Sequence, residues 1–276
     1  MQASELREVS LALRTARRNQ TPIDTPTKAW PALDADSGFE VQRITAEESI
    51  KNGNRLVRYK LGNIVRVTQD AFGLHHPDCG FLLASTFVYE GTTLNLKQYI
   101  KPFVELKPDF ILSIPLHKPN CTVAKVINAI DYAIPAIEII DSRVKNWAID
   151  LPDILADNGS TGSVILGGTP QNLTELTLRD TRGTLRFNDK EVMSGNTANF
   201  QPGQVILPGS CLQAVPMEEA GHWTCTFEGW GIVEFDVYQQ YHASIPNMYL
   251  NVERIARVFK IQRPIQLFQY YMSPVM

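Results

Sequence analysis

The chain has only four cysteines in 276 residues, Cys79, Cys121, Cys211 and Cys225, and no two of them form a CxxC pair. That spacing argues against a zinc site, and four cysteines are too few to staple a chain of this length. No run approaches the roughly 20 apolar residues of a membrane span. Positive charge is not in excess: 26 Lys and Arg stand against 29 Asp and Glu, for a formal charge of -3. No local basic run offers a footprint for nucleic acid or an anionic membrane. GxSxG, HExxH, P-loop and GxGxxG motifs are absent, so neither a nucleophile triad nor a dinucleotide site has support. His75 and His76 are adjacent and would face opposite ways on a strand, so they make no metal pair. Met1 opens a polar segment without the apolar core of a secretory leader, and a cytoplasmic location is expected.

What is present is an ordinary globular composition, 44% hydrophobic and 20% charged. Apolar spacing predicts helices over 4–20 and 35–52, the second with Phe39, Val41, Ile44 and Ile50 as contacts, joined by a proline-rich connector. A β-rich part follows. Strands are expected over 55–61, 81–90, 104–112, 136–140, 164–168, 223–227 and 232–237. Another falls at 205–207, and a hairpin is expected around Arg182-Gly183. Residues 62–70 are read as entering a helix and 72–80 as a loop. Helices are expected over 122–132 and 251–259, and a short helix or turn over 152–158. Three parts result: a helical part at 1–54, a β-rich domain at 55–237 and an aromatic extension at 238–276.

Within this pattern a few residues stand out chemically. On a strand over 104–112, Glu105, Lys107 and Asp109 share one face. That face is either a solvated edge or a charged pocket wall, and Pro108 suits an edge or a bulge. Glu138 lies inside Ile137-Glu138-Ile139-Ile140, and a buried carboxylate there needs an ion-pair partner or a metal. Lys60 is an exposed strand-end lysine or one drawn into a pocket where it moves protons. Asp78 reads most simply as a turn former. Residues 157–162, with Asn158 and Ser160, are a polar loop that caps a helix or donates hydrogen bonds to a carboxylate or enolate.

Several segments, in order, resemble one family. RLVRYKLG at 55–62 is similar to RLVGYKxG, and HPDCG at 76–80 to xPDxG. PAIEIIDSR at 135–143 and LPDILADNGS at 151–160 are similar to PALEIxxSR and ADNAS. VILPGS at 205–210 is similar to IILTGS, and FEGWG at 227–231 to FxGLGxV. Together they resemble the 2-oxopent-4-enoate hydratase and 4-oxalocrotonate decarboxylase group of the fumarylacetoacetate hydrolase superfamily. The resemblance implies an α+β fold, a β-rich mixed-sheet roll with N-terminal helices, and a substrate that is an unsaturated 2-oxo acid or its enol. In that family three glutamates hold magnesium or manganese, at positions matching Glu105, Lys107 and Glu138. Lys60 and Asp78 match the proton-shuttling residues, and Ser160 a substrate-contacting serine. The IIDSR and LPD spellings lean toward the decarboxylase branch.

The departure that matters most is Lys107, a cation where the second metal-binding glutamate belongs. At an effective dielectric near 20, one charge pair 4 Å apart is worth about 4 kcal/mol, and the exchange alters the site by two charges. No metal is therefore favoured. The expected enzyme is a lyase or isomerase working through an enol, with Lys60, Asp78 and Lys107 as catalytic groups and Ser160, Asn158, Glu105 and Glu138 as substrate contacts. The alternative is a magnesium- or manganese-dependent decarboxylase or hydratase holding its metal with Glu105, Glu138 and Asp109. Asp109 lies about 6.6 Å along the strand from Lys107 and reaches a shared metal only if Pro108 marks a bulge. A third reading is a non-catalytic homologue that binds a partner enzyme. A homo-oligomer is expected in each case.

Overall fold

The computed structural model describes residues 1–62, 77–116, 121–177, 180–197 and 212–239. The expected helices at 62–70 and 251–259, the adjacent His75 and His76, and the VILPGS segment fall wholly or almost wholly outside these residues. The chain divides into two units, Met1–Gln239 and Gln240–Met276, and only the first is described below.

The helices are α1 (Ala3–Asn19), α2 (Pro26–Ala29), α3 (Ala35–Lys51), α4 (Val123–Ala129) and α5 (Leu151–Ala156). The strands are β1 (Leu56–Gly62), β2 (Asp78–Leu83), β3 (Phe87–Val88), β4 (Thr93–Asn95), β5 (Pro102–Leu112) and β6 (Ile130–Asp141). They continue with β7 (Thr161–Leu166), β8 (Arg182–Phe187), β9 (Lys190–Asn196), β10 (Val215–Pro216), β11 (Gly221–Phe227) and β12 (Gly231–Tyr238). Among the described residues they form a β1-β2 hairpin and two mixed sheets, β10-β5-β6-β7-β3 and β4-β12-β11-β8-β9. The β3-β7 and β12-β4 pairs are parallel and the rest antiparallel. This is the α+β, mixed-sheet architecture that the sequence predicts.

Strand alternation builds the core. Val104 and Leu106 of β5, with Ile137 and Ile139 of β6, point to one face and are fully buried. They meet Leu185, Cys225, Phe227, Val233 and Phe235 of the other sheet. The same alternation sends Glu105, Lys107 and Glu138 to the opposite face. The two strands stay in register from Pro102↔Asp141 to Ile111↔Tyr132, with Pro108 opposite Pro135. Neither proline has an N–H, so this pair exchanges no ladder bond and the register survives it. Pro108 therefore marks no bulge. On its other side, among the described residues, β5 meets β10 only at Val104 and Phe103.

The N-terminal helices pack on one another and on α5. A capping box of Gln2 and Glu5 starts α1, which buries Val9, Leu13 and Ala16 along one stripe. Asp34 caps α3 by accepting from Ser37 N at 2.8 Å. Val9, Leu13, Leu33 and Val41 then share a second core with Val144, Ile149, Ile154 and Ala156. Of the contacts expected on α3, Val41 is buried, but Phe39 and Ile50 are exposed. The inward stripe is Gly38, Val41 and Gln42 instead. Gln42 Nε2 donates to Cys79 O at 2.8 Å and Leu155 O at 3.0 Å, tying α3 to both β2 and α5.

Two local readings are corrected. Asp78 does not form a turn; it opens β2, opposite Gly62. Arg182-Gly183 begins β8, and the hairpin turns at Asn188-Asp189, where both residues have positive φ. Asn and Asp tolerate that conformation, so Asn188-Asp189 was the better turn signal.

Leu106→Ala is expected to cost about 2–5 kcal/mol in urea denaturation, because its cavity lies in the closed core. Leu112→Ala, on the exposed end of the same strand, is expected to stay within about 0.5 kcal/mol. Equal losses would contradict the assignment of faces.

Candidate active site

Glu105 and Glu138 sit directly opposite one another on adjacent strands. Like charges so placed repel, and burial makes the repulsion worse. Lys107, two residues along β5 on the same face, resolves it. Its Nζ lies 2.9 Å from Glu105 Oε2 and donates to Glu138 Oε2. Lys60 reaches the same group from β1, with Nζ 2.6 Å from Glu138 Oε1 and donating to Gly159 O at 2.6 Å. All four side chains are buried, Glu138 at 2% exposure. The neighbouring Tyr59 is 62% exposed, so β1 turns its aromatic ring outward and its lysine inward.

Burial alone would push the Lys107 ammonium toward neutrality, but Glu105 and Glu138 outweigh it and hold the pKa above that of a free lysine. For Glu138, burial favours the acid form, and Lys107 and then Lys60 overcome it, so its pKa is lowered. This pair therefore stays ionised at neutral pH.

Asp78 is a further buried carboxyl, in the lining of the same site. Burial raises its pKa; Lys60 and Lys107 offset part of the rise, and Glu105 and Glu138 add to it. A carboxyl biased toward its protonated form in a polar cavity is suited to giving a proton. Its place depends on Gly62, where a methyl group would lie 2.4 Å from Asp78 Oδ1.

The third wall is the turn after α5. Asp157 is buried and binds Arg143 Nε at 2.5 Å, Arg143 N at 3.1 Å, Ser142 Oγ at 3.2 Å and Ser160 Oγ at 3.0 Å. Burial raises its pKa, and Arg143 opposes the rise. Arg143 Nη1 also donates to Asp141 O and Thr161 O, each at 2.8 Å. These bonds hold Gly159 at φ 58°, with its carbonyl on Lys60. A side chain there would be strained and would approach Lys60 Cε to 2.8 Å.

Together the walls line a cavity of about 390 Å³, a volume that includes the part open to solvent, bordered by Lys60, Asp78, Glu105, Lys107, Gly159 and Ser160 and, on its apolar side, by Ile140, Trp147, Ile149 and Ile154. Lys60, Asp78, Lys107, Glu105, Glu138 and Ser160, all named from sequence, converge on this region.

Two of the expected residues are held by other partners. The Asn158 amide accepts from Phe81 N at 2.8 Å and donates to Phe81 O at 3.0 Å, and so clamps β2 to the turn. Asp109 pairs with Arg58 at 2.5 Å, and with no bulge at Pro108 it does not join Glu105 and Glu138. Sequence reasoning passed over Arg143 and Asp157 as architects of the turn, although both lie inside the segments that carried the resemblance. It also passed over Trp147, Ile149 and Ile154, which nothing polar marks.

Magnesium or manganese needs several oxygen ligands, near 2.1 Å for magnesium. Glu105 and Glu138 could supply two, but the Lys107 ammonium lies against both, and Asp109 is engaged by Arg58. Among the described residues no group of three or more His, Cys, Asp and Glu side chains is placed to hold a metal ion. The residues present do not fit the divalent ion that the resemblance implies.

No protein-family model matches the chain. A 2-keto-4-pentenoate hydratase of Dechloromonas aromatica (strain RCB) is 34% identical over 243 residues, covering 80% of this chain and 93% of the relative. A second hydratase of that organism is 37% identical over 163 residues, 59% of this chain and 62% of the relative, so the match spans less than two thirds of its length. Among solved structures, 4-oxalocrotonate decarboxylase from Pseudomonas putida G7, complexed with magnesium and adipate, superposes with a TM-score of 0.80 at 26% identity. That match covers 86% of this chain and 99% of the other. No helix among the described residues is long and apolar enough to cross a membrane.

Asp157→Ala leaves the Arg143 guanidinium buried without its carboxylate. A loss of about 3–5 kcal/mol in urea denaturation is expected, and an unchanged midpoint would contradict the role given to this pair.

Proposed function

Because the chain belongs to the 2-oxopent-4-enoate hydratase and 4-oxalocrotonate decarboxylase group of the fumarylacetoacetate hydrolase superfamily, whose named members are lyases of 2-oxo acids, we propose that it is a lyase-type enzyme working through an enol without a divalent ion. The substrate class is an unsaturated 2-oxo acid or a related enolisable carbonyl compound. The observation that carries this reading is the Lys107 ammonium, seated between Glu105 and Glu138 in the wall of the cavity that also holds Lys60 and Asp78.

An ammonium has three N–H donors. Lys107 gives two to Glu105 and Glu138, and Lys60 gives two to Glu138 and Gly159 O. The third of each is available to the oxygens of a 2-oxo acid. When carbon dioxide leaves the substrate, the bonding electron pair moves onto the carbonyl oxygen as an enolate. Two fixed ammonium groups stabilise that charge without reorganising. Asp78, biased toward its acid form, then gives its proton to carbon, and the carboxylate so formed is the base for the next proton. Glu105 and Glu138 hold the two ammonium groups in place. The apolar wall of Trp147, Ile149 and Ile154 receives the unsaturated tail. A cytoplasmic setting and a homo-oligomer belong to the same reading.

Loss of the enol absorbance across a panel of 2-oxo acids tests the proposal. Turnover is expected to persist after exhaustive treatment with EDTA and to be unchanged by added magnesium or manganese. Lys107→Ala and Asp78→Asn are each expected to lower kcat by about 100-fold or more. Complete inactivation by the chelator, reversed by magnesium, would overturn it. Absence of turnover across the whole panel would favour a non-catalytic homologue that binds a partner enzyme.

A further inference from the structure

A second cavity lies behind the Asp157–Ser160 turn, between α1, α3, β2 and the segment that carries Arg143. Its volume, including the part open to solvent, is about 830 Å³. Its lining includes three arginines, Arg14, Arg17 and Arg143, and the hydroxyl-bearing residues Thr45, Ser49 and Ser85. Asp157 is the one acid in that lining, and it is already bound to Arg143. The balance of charge facing the cavity is positive.

Two features point to a missing partner. Arg14 Nε is buried, yet among the described residues it has no hydrogen-bond acceptor. An unsatisfied charged donor costs more than an unsatisfied neutral one. Arg17 and Arg143 also converge on one acceptor. Arg17 Nη1 donates to Thr161 O at 3.4 Å and Arg143 Nη1 to the same oxygen at 2.8 Å, while Arg17 Nη2 donates to Gly162 O at 3.1 Å. Arg17 is exposed as a whole residue, but its bonds to Thr161 O and Gly162 O are partly buried. Burial, and then repulsion from Arg143, lowers its pKa. Two neighbouring cations sharing a neutral carbonyl, beside a third with a free donor, are what an oxyanion would relieve. Guanidinium groups favour carboxylate and phosphate oxygens.

We propose that this cavity is a binding site for a small oxyanion, a carboxylate or phosphate group, held by Arg14 together with Arg17. It is separate from the cavity that carries Lys60, Asp78 and Lys107. The turn from Asp157 to Ser160 is the wall the two cavities share, which places an occupant one layer of backbone from the reacting groups.

The test is isothermal titration of the full chain with inorganic phosphate and, separately, with succinate, at ionic strength held constant with chloride. Saturable binding of at least one anion is expected, and the pair of titrations tells phosphate from carboxylate chemistry. Arg14→Gln is expected to weaken it at least tenfold while leaving turnover without added anion unchanged, since Arg14 touches none of the reacting groups. Arg14→Lys, which keeps the charge but loses the Nε donor, is expected to fall between the two. No saturable binding of either anion, or equal binding by wild type and Arg14→Gln, would overturn the proposal. Both results are independent of whether the first cavity uses a metal.

Discussion

Two carboxylates buried face to face on neighbouring strands demand positive charge between them. In this chain the charge comes from the protein. Glu105 and Glu138 are fixed opposite one another by the β5-β6 register, and the core on the other side of the sheet prevents that register from slipping, since a one-residue shift would bury the charges in it. Given that constraint, Lys107 is placed by strand periodicity alone, and Lys60 is brought in by the β1-β2 hairpin. The Arg143–Asp157 pair shapes the turn that gives Lys60 its third wall. Fold, electrostatics and cavity thus follow from one arrangement of charge on one sheet face.

On the reading proposed above, that arrangement trades one kind of electrophile for another. A divalent ion concentrates two charges at a point and binds several oxygens at once. Two ammonium groups spread the same charge over two positions and form directional hydrogen bonds. On that reading the protein supplies them itself, and their positions depend on folding rather than on metal supply. Removing one leaves buried carboxylates unpaired, which couples the chemistry of the site to its stability.

Much of this was legible in the sequence because it rests on local periodicity. The charged face of β5, the inward Glu138 and the helices at the N-terminus follow from spacing of two and of three to four residues. Lys60 and Asp78 came through the motifs that carried the family resemblance, and both line the cavity. What was not legible depends on long-range pairing. Asp109 looked available as a ligand because nothing in its own strand shows that Arg58, from another sheet, holds it. Asn158 looked like a donor to substrate because its partner, the Phe81 backbone, lies 77 residues away. Asp78 looked like a turn because the Pro77-Asp78 pair is common in turns, whereas here its strand is completed by β1. The relief of Glu105 and Glu138 by Lys107 was posed by the sequence as a substitution, and only the geometry joins the three groups.

The most direct test is anomalous diffraction from crystals of the full chain soaked in manganese. The account predicts no manganese peak between Glu105 and Glu138, and density for the Lys107 ammonium in contact with both carboxylates. A manganese ion there with oxygen ligands at about 2.2 Å, and Lys107 turned away from it, would contradict the account.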